Sequence, residues 1–150
     1  PQVLEFNCRL GDPEAQAIMA RVDFDLAEIL MDAAHGRLDA SKLKWRPGAS
    51  VCVVAASGGY PGKFESGKTI QDLTALTGNS SVKILHAGTK QIGDAIVTSG
   101  GRVLGVTASG DSIDSALAMA YDGMSKITFE GMHFRRDIGA SSKRVDVAGA

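Results

Sequence analysis

The 150-residue chain carries 16 Lys and Arg against 17 Asp and Glu, a formal net charge of −1, with 44% hydrophobic residues, 18 Gly and 4 Pro. That balance is globular, with length for one cored domain or one domain plus the edge of another. Without a sustained Lys/Arg run the chain lacks the electrostatic footprint of nucleic-acid or anionic-membrane binding, and no apolar stretch nears the roughly 20 residues of a membrane span. Cys8 and Cys52 lie far apart without zinc or redox spacing, which predicts a reducing compartment, the cytoplasm. The chain opens at Pro1 and not at Met, on residues of strand type, and reads as a piece of a longer polypeptide.

In chain order, Pro1 to Cys8 alternates. Leu4, Phe6 and Cys8 form an apolar face for a core, and Val3, Glu5 and Asn7 form the other face, turned toward a site. Gly11-Asp12-Pro13-Glu14 then reads as a helix start with Asp12 as N-cap, Pro13 at the first helical position and Glu14 in the first turn. Ile18, Val22, Leu26, Ile29, Leu30 and Ala33 extend one long helix to a stop at Gly36. Residues 37–50 read as a loop. Val51–Ala56, Val82–His86, Ala95–Thr98 and Arg102–Ala108 read as strands, the last two joined as a hairpin by Ser99-Gly100-Gly101. Asp111 or Ser112 caps a second helix bearing Ile113, Ala116, Leu117, Ala120, Tyr121 and Met124, Ile127–Phe129 reads as a final short strand, and the small, polar end from Gly139 reads as a fraying tail. Strands in a run with helices outside it predict an α+β fold with a mixed or antiparallel sheet.

Several patterns bear on chemistry. Period-2 spacing sets the Glu5 carboxylate beside the Asn7 carbonyl oxygen, about 6–7 Å apart at the backbone. Two hard oxygen donors can share a Mg²⁺ that keeps waters or phosphate oxygens, and Arg9 can neutralise phosphate charge beside it. The spacing alone also suits a solvated strand face. The helix entry already holds Asp12 and Glu14 in the positive field of a helix N-terminus, so it suits an amine-bearing or cation-bridged ligand better than a bare phosphate. A well-capped helix needs no ligand at all.

Gly62 to Thr69 satisfies G-x-x-x-x-G-K-[ST] letter for letter. A phosphate loop needs a strand running directly into it and a helix leaving it. Here five residues including Pro61 intervene after Ala56, the stretch after Thr69 is a weak helix start, and Phe64 and Glu65 would crowd and repel a triphosphate. The better account is an exposed loop between strands. His35, His86 and His133 are scattered without metal-ligand spacing, no G-x-S-x-G elbow occurs, and Arg135-Arg136-Asp137 reads as a surface charge cluster.

Together the segments carry a family likeness. Glu5-x-Asn7-x-Arg9 resembles the end of an ATP-grasp domain, and Arg9 through Gln16 is similar to the signature of glycinamide ribonucleotide synthetase (phosphoribosylamine–glycine ligase). Ser57-Gly58-Gly59-Tyr60-Pro61-Gly62, His86-Ala87-Gly88-Thr89, Gly100 through Ala108 and Phe134 through Gly139 follow in the family's order. The resemblance implies residues 1–45 as the edge of an ATP-grasp domain (strand plus long helix), 46–139 as the family's C-terminal mixed-sheet domain, and 140–150 as a tail or linker. It implies an ATP-dependent ligase of purine biosynthesis that joins glycine to 5-phosphoribosylamine through a glycyl phosphate. Glu5 and Asn7 are then Mg²⁺ (or Mn²⁺) ligands, Arg9 stabilises the transferring phosphoryl group, and Gly11, Asp12 and Glu14 lie near the sugar-phosphate amine. The strands and glycine-rich lid that hold ATP are expected before Pro1, and the tail can lead to another purine-pathway domain. The competing readings are another ATP-grasp ligase of carboxylase type, against which Gly-Asp-Pro-Glu and Gly-Tyr-Pro-Gly argue, a phosphate-loop hydrolase, and a non-catalytic interaction module.

Overall fold

The computed structural model describes residues 2, 3, 6 and 8–140. A three-stranded antiparallel sheet is built from β1 (Ala49–Ala56), β2 (Val82–His86) and β5 (Arg102–Gly110), with β5 in the middle. Strand β1 brings Val51, Val53 and Ala55 opposite Ala108, Val106 and Leu104 of β5, and β2 adds Val82 opposite Ala108. Because side chains alternate along a strand, these residues share one face. The helix α3 (Ile113–Ser125) covers that face, and its Ala116, Leu117, Ala120 and Met124 complete the core with Ile127 and Phe129. Ser112 caps α3 in a reciprocal capping box with Ser115.

The opposite face carries Ser50, Cys52 and Val54 beside Ser109, Thr107 and Gly105. Here α1 (Glu14–Arg21) packs, pinned where the Ser50 hydroxyl donates to the Ala17 carbonyl at 2.6 Å. The sheet is therefore sandwiched between α3 and α1, in a fold of α+β class with antiparallel pairing, as the order of elements predicts.

Four expectations are corrected. The first concerns the opening strand. Among the described residues of this segment none lies in a strand, and Val3 and Phe6 are 71% and 85% exposed. Pro1, Leu4, Glu5 and Asn7, which the expected strand also includes, lie outside the described residues.

Second, the long helix is two helices, α1 and α2 (Leu26–Ala34). Val22 is extended and bridges to Trp45, while the Asp25 carboxylate accepts from the Ala27 and Glu28 amides at 2.9 and 3.1 Å. A strong N-cap inside an apolar periodicity restarts the helix without disturbing its spacing.

Third, Asp12 does not cap α1. Pro13 holds the cap position without a side-chain bond, the Asp12–Pro13 peptide is cis, and the Asp12 carboxylate turns elsewhere.

Fourth, the hairpin lies one strand earlier. β3 (Thr89–Ile92) pairs with β4 (Ala95–Thr98) across Gly93-Asp94, with Gly93 at φ +58°. A two-residue turn opening on glycine is a standard hairpin geometry. The Ser99-Gly100-Gly101 segment instead crosses from this hairpin to the main sheet.

The segment Ile127–Phe129 makes one bridge, Gln71 to Thr128, in place of a strand, and Ala140 is the last described residue of the predicted tail.

Candidate functional site

The segment Arg9–Glu14 meets the first residue of β5 at the edge of the sheet. Arg102 opens β5, anchored by the Gly88 amide donating to its carbonyl at 2.9 Å. Its guanidinium reaches back 90 residues: Nη1 donates to the Asp12 carbonyl and Nη2 pairs with Asp12 Oδ2, each at 3.0 Å. The other carboxylate oxygen, Oδ1, accepts from Gln16 Nε2 at 2.8 Å, one helical turn along α1. Both Asp12 oxygens are thus held by donors from different elements, while the side chain keeps 41% of its surface exposed.

Around this pair the chain is close-set. Ser57 Oγ donates to the Gly100 carbonyl and the Ser57 amide to the Gly101 carbonyl, both at 2.8 Å. The Tyr60 ring lies directly over Gly101, leaving no room there for a Cβ, and it meets Phe64 edge-on at 6.3 Å. These contacts account for the Ser57–Gly62 and Gly100–Arg102 motifs as one unit that supports Arg102. A cavity of about 260 Å³ opens beneath it, lined by Pro13, Cys52, Tyr60, Arg102, His133 and Phe134 among others.

Of the residues singled out from the sequence, Gly11 and Glu14 come together, while Asp12 turns to Arg102 and Gln16. Gly11 is half-buried and borders a second cavity of about 390 Å³ that includes Gln16, Lys83 and Thr107. A Cβ on Gly11 would collide with the Glu14 carboxylate, so the missing side chain lets Glu14 fold back over the turn. The Ala15 amide donates to the Gly11 carbonyl at 3.1 Å and closes that turn. Arg9 is exposed, and its Nη1 donates to the Leu10 carbonyl at 2.9 Å. Glu5 and Asn7 lie outside the described residues. Among the described residues no group of three or more His, Cys, Asp and Glu could hold a metal ion.

The remaining candidates have structural duties. His35 Nδ1 lies 2.7 Å from the Met31 carbonyl at the end of α2, and His86 Nδ1 lies 3.0 Å from Thr89 Oγ1 in the β2–β3 turn. Arg135 forms a two-point pair with Asp137, and Arg136 stacks on Phe134 at 5.0 Å. After Thr69 the chain runs on beside β4, the Ile70 amide donating to the Ile96 carbonyl at 2.9 Å, where a phosphate loop would launch a helix.

Sequence reasoning missed Arg102 as a site residue. Its signal was a single cation opening an otherwise apolar and small strand directly after two glycines.

Residues 50–141 match the model of the family described as phosphoribosylglycinamide synthetase, C domain. The chain belongs to that family. Within the synthetase family, it is 45% identical over 139 residues to a phosphoribosylamine–glycine ligase of Synechocystis sp., an alignment covering 92% of this chain and 33% of that protein. It is 47% identical to the Vibrio cholerae protein of the same name, over 93% of this chain and 32% of that one. The crystal structure of phosphoribosylamine–glycine ligase from Thermotoga maritima superposes with a TM-score of 0.75 at 34% identity, over 91% of this chain and 33% of that one. The chain spans about a third of the length of the curated relatives it matches. No helix among the described residues is long and apolar enough to cross a membrane.

Proposed function

We propose that this chain is the C-terminal part of a cytoplasmic, ATP-dependent ligase that joins glycine to 5-phosphoribosylamine in purine biosynthesis. What carries the reading is the alignment with phosphoribosylamine–glycine ligases along more than nine-tenths of this chain. In the proposed reaction the γ-phosphoryl group of ATP passes to a glycine carboxylate oxygen, giving ADP and glycyl phosphate. The amine then attacks the acyl carbon, phosphate leaves, and glycinamide ribonucleotide forms.

Residues 1–45 are assigned to the edge of the ATP-grasp domain, 46–139 to the C-terminal domain and 140–150 to a tail or linker. Most of the ATP site is assigned to a preceding N-terminal part of the same enzyme, and fusion to other purine-pathway domains is compatible with this layout. Arg9 supplies a guanidinium for the charge that develops on the transferring phosphoryl group. Asp12 and Glu14 offer carboxylate oxygens to the amine end of the sugar phosphate, with Glu14 folded back over Gly11. Glu5 and Asn7 provide the hard oxygens that Mg²⁺ or Mn²⁺ takes, and the bound ion neutralises phosphate charge.

The test is ADP release that depends on both glycine and phosphoribosylamine. The intact polypeptide should show it, Arg9→Ala should lower kcat by on the order of 10²-fold, and isolated residues 1–150 should show none. Turnover by the isolated chain, or an intact protein that ignores glycine, overturns the reading.

A further inference from the structure

Arg102 touches Asp12 and belongs to a part of the chain distant from it in sequence, a combination that calls for explanation. An exposed ion pair of ordinary kind contributes little and wanders among geometries. This one is fixed at both ends. The guanidinium makes two separate bonds, one to the backbone carbonyl and one to the carboxylate of the same residue, and a planar fork is suited to such two-point contact. Its base sits on the central strand of the sheet, at the register shift between Ala55 and Ala56, where Ala56 faces Arg102. The Gly88 turn and the Tyr60–Gly101 contact close round that strand end.

At the other end Gln16 takes Asp12 Oδ1, so the carboxylate cannot rotate without losing a bond. Each carboxylate oxygen can accept more than one hydrogen bond, so acceptor capacity remains on the exposed part of Asp12.

We propose that Arg102 is a positioning residue for the amine substrate: it fixes the orientation of Asp12 and couples the Gly11–Glu14 turn to the sheet domain. The inference rests on the proposed ligase function, since it assigns the amine to Asp12. Removing the guanidinium releases both the carbonyl and one carboxylate oxygen, and the loss falls on the substrate that Asp12 receives. Glycine and ATP, which do not meet Asp12 in this assignment, are spared.

The experiment is steady-state kinetics of the intact ligase with Arg102→Ala and Arg102→Lys, varying each of the three substrates in turn. For Arg102→Ala the KM for phosphoribosylamine should rise at least about tenfold, with kcat and the KM values for glycine and ATP within about twofold. Arg102→Lys keeps the charge but not the two-point fork and should fall between. Added guanidinium ion at millimolar concentration should partly restore the Arg102→Ala enzyme. An unchanged KM for the amine, or equal rises for all three substrates, overturns the proposal. Should Arg102→Ala fail to fold, the same comparison on Arg102→Lys decides it. A wild-type protein without ligase activity refutes the proposed function instead, and is thereby distinguished from a failure of Arg102 alone.

Discussion

Lys68 Nζ lies 3.0 Å from Glu130 Oε1 and 3.0 Å from Glu65 Oε2. The ammonium that a phosphate loop would aim at a nucleotide is instead shared between two carboxylates, and the Glu130 contact, then Glu65, pushes its pKa up. It ties the Gly62–Thr69 loop to the turn that follows Phe129 and borders a cavity with Gly58 and Gly131. Lys68→Ala in the intact polypeptide is expected to leave the ATP dissociation constant within about twofold, as for loss of an exposed ion pair. Calorimetric titration with ATP checks it, and a collapse of binding would restore the phosphate-loop reading.

Gly88 is glycine for want of space. A Cβ there would stand 2.6 Å from the Arg102 carbonyl oxygen, 2.7 Å from Gly100 Cα and 2.9 Å from the Gly100 nitrogen. All three neighbours are backbone and cannot swing aside, as a flexible side-chain end could. Gly88→Ala should therefore cost about 1–3 kcal/mol or more by overpacking, measured by urea unfolding, and should displace Arg102. Gly67→Ala is the matching control, since Gly67 has open space around it but φ +86°. Its cost should be about 1–2 kcal/mol from backbone strain alone, with the contacts of Arg102 undisturbed.

Much of the sheet was legible because its strands announce themselves locally. Val82–His86 is built round Val82, Ile84 and Leu85, Ala95–Thr98 is a short run of branched or apolar residues, and the structure gives those same limits. α3 was legible from its apolar spacing and the Ser112 cap. The β3 strand was hidden because Thr89-Lys90-Gln91-Ile92 is polar and only four residues long, so its partner was sought on the wrong side. The break between α1 and α2 was hidden because Ile18, Val22 and Leu26 keep helical spacing straight through it; the Asp25 cap and the Val22–Trp45 bridge divide them. In the site, Gly11, Asp12 and Glu14 are neighbours in sequence and could be grouped from the start. Arg102 could not, because periodicity carries no information about which distant carboxylate a cation will meet.

Asp32 is a buried acid with two partners, Arg37 Nε on Oδ1 and Lys42 Nζ on Oδ2, each at 2.9 Å, joining α2 to the turn at Ala40–Lys42. The Arg37 bond first, and then that of Lys42, hold its carboxyl below the ordinary value of 3.8. A carboxylate with a depressed folded-state pKa contributes stability that is fully present above its unfolded pKa and is lost as pH falls through the folded one. Asp32→Asn should thus be less stable than the parent at pH 7, with the gap closing as pH drops below about 4. Thermal melts from neutral pH into acid check this, and a gap that persists unchanged at the acid end counts against the pairing.

The two thiols differ in their surroundings. Cys8 is exposed, whereas Cys52 sits 7% exposed on the α1 face of the sheet beside Thr107. Burial pushes the Cys52 thiol up, only partly offset by the Thr107 hydroxyl, so it is both hidden and protonated at neutral pH. Thiolates, and not thiols, attack alkylating reagents. Iodoacetamide at pH 8 should therefore label Cys8 at least about tenfold faster than Cys52 in the native chain, followed by mass spectrometry of the peptides. In urea the two rates should converge, because unfolding removes the burial that separates them. Equal rates without denaturant would mean that the face of β1 under α1 opens freely, which is incompatible with the Ser50–Ala17 contact pinning the helix there.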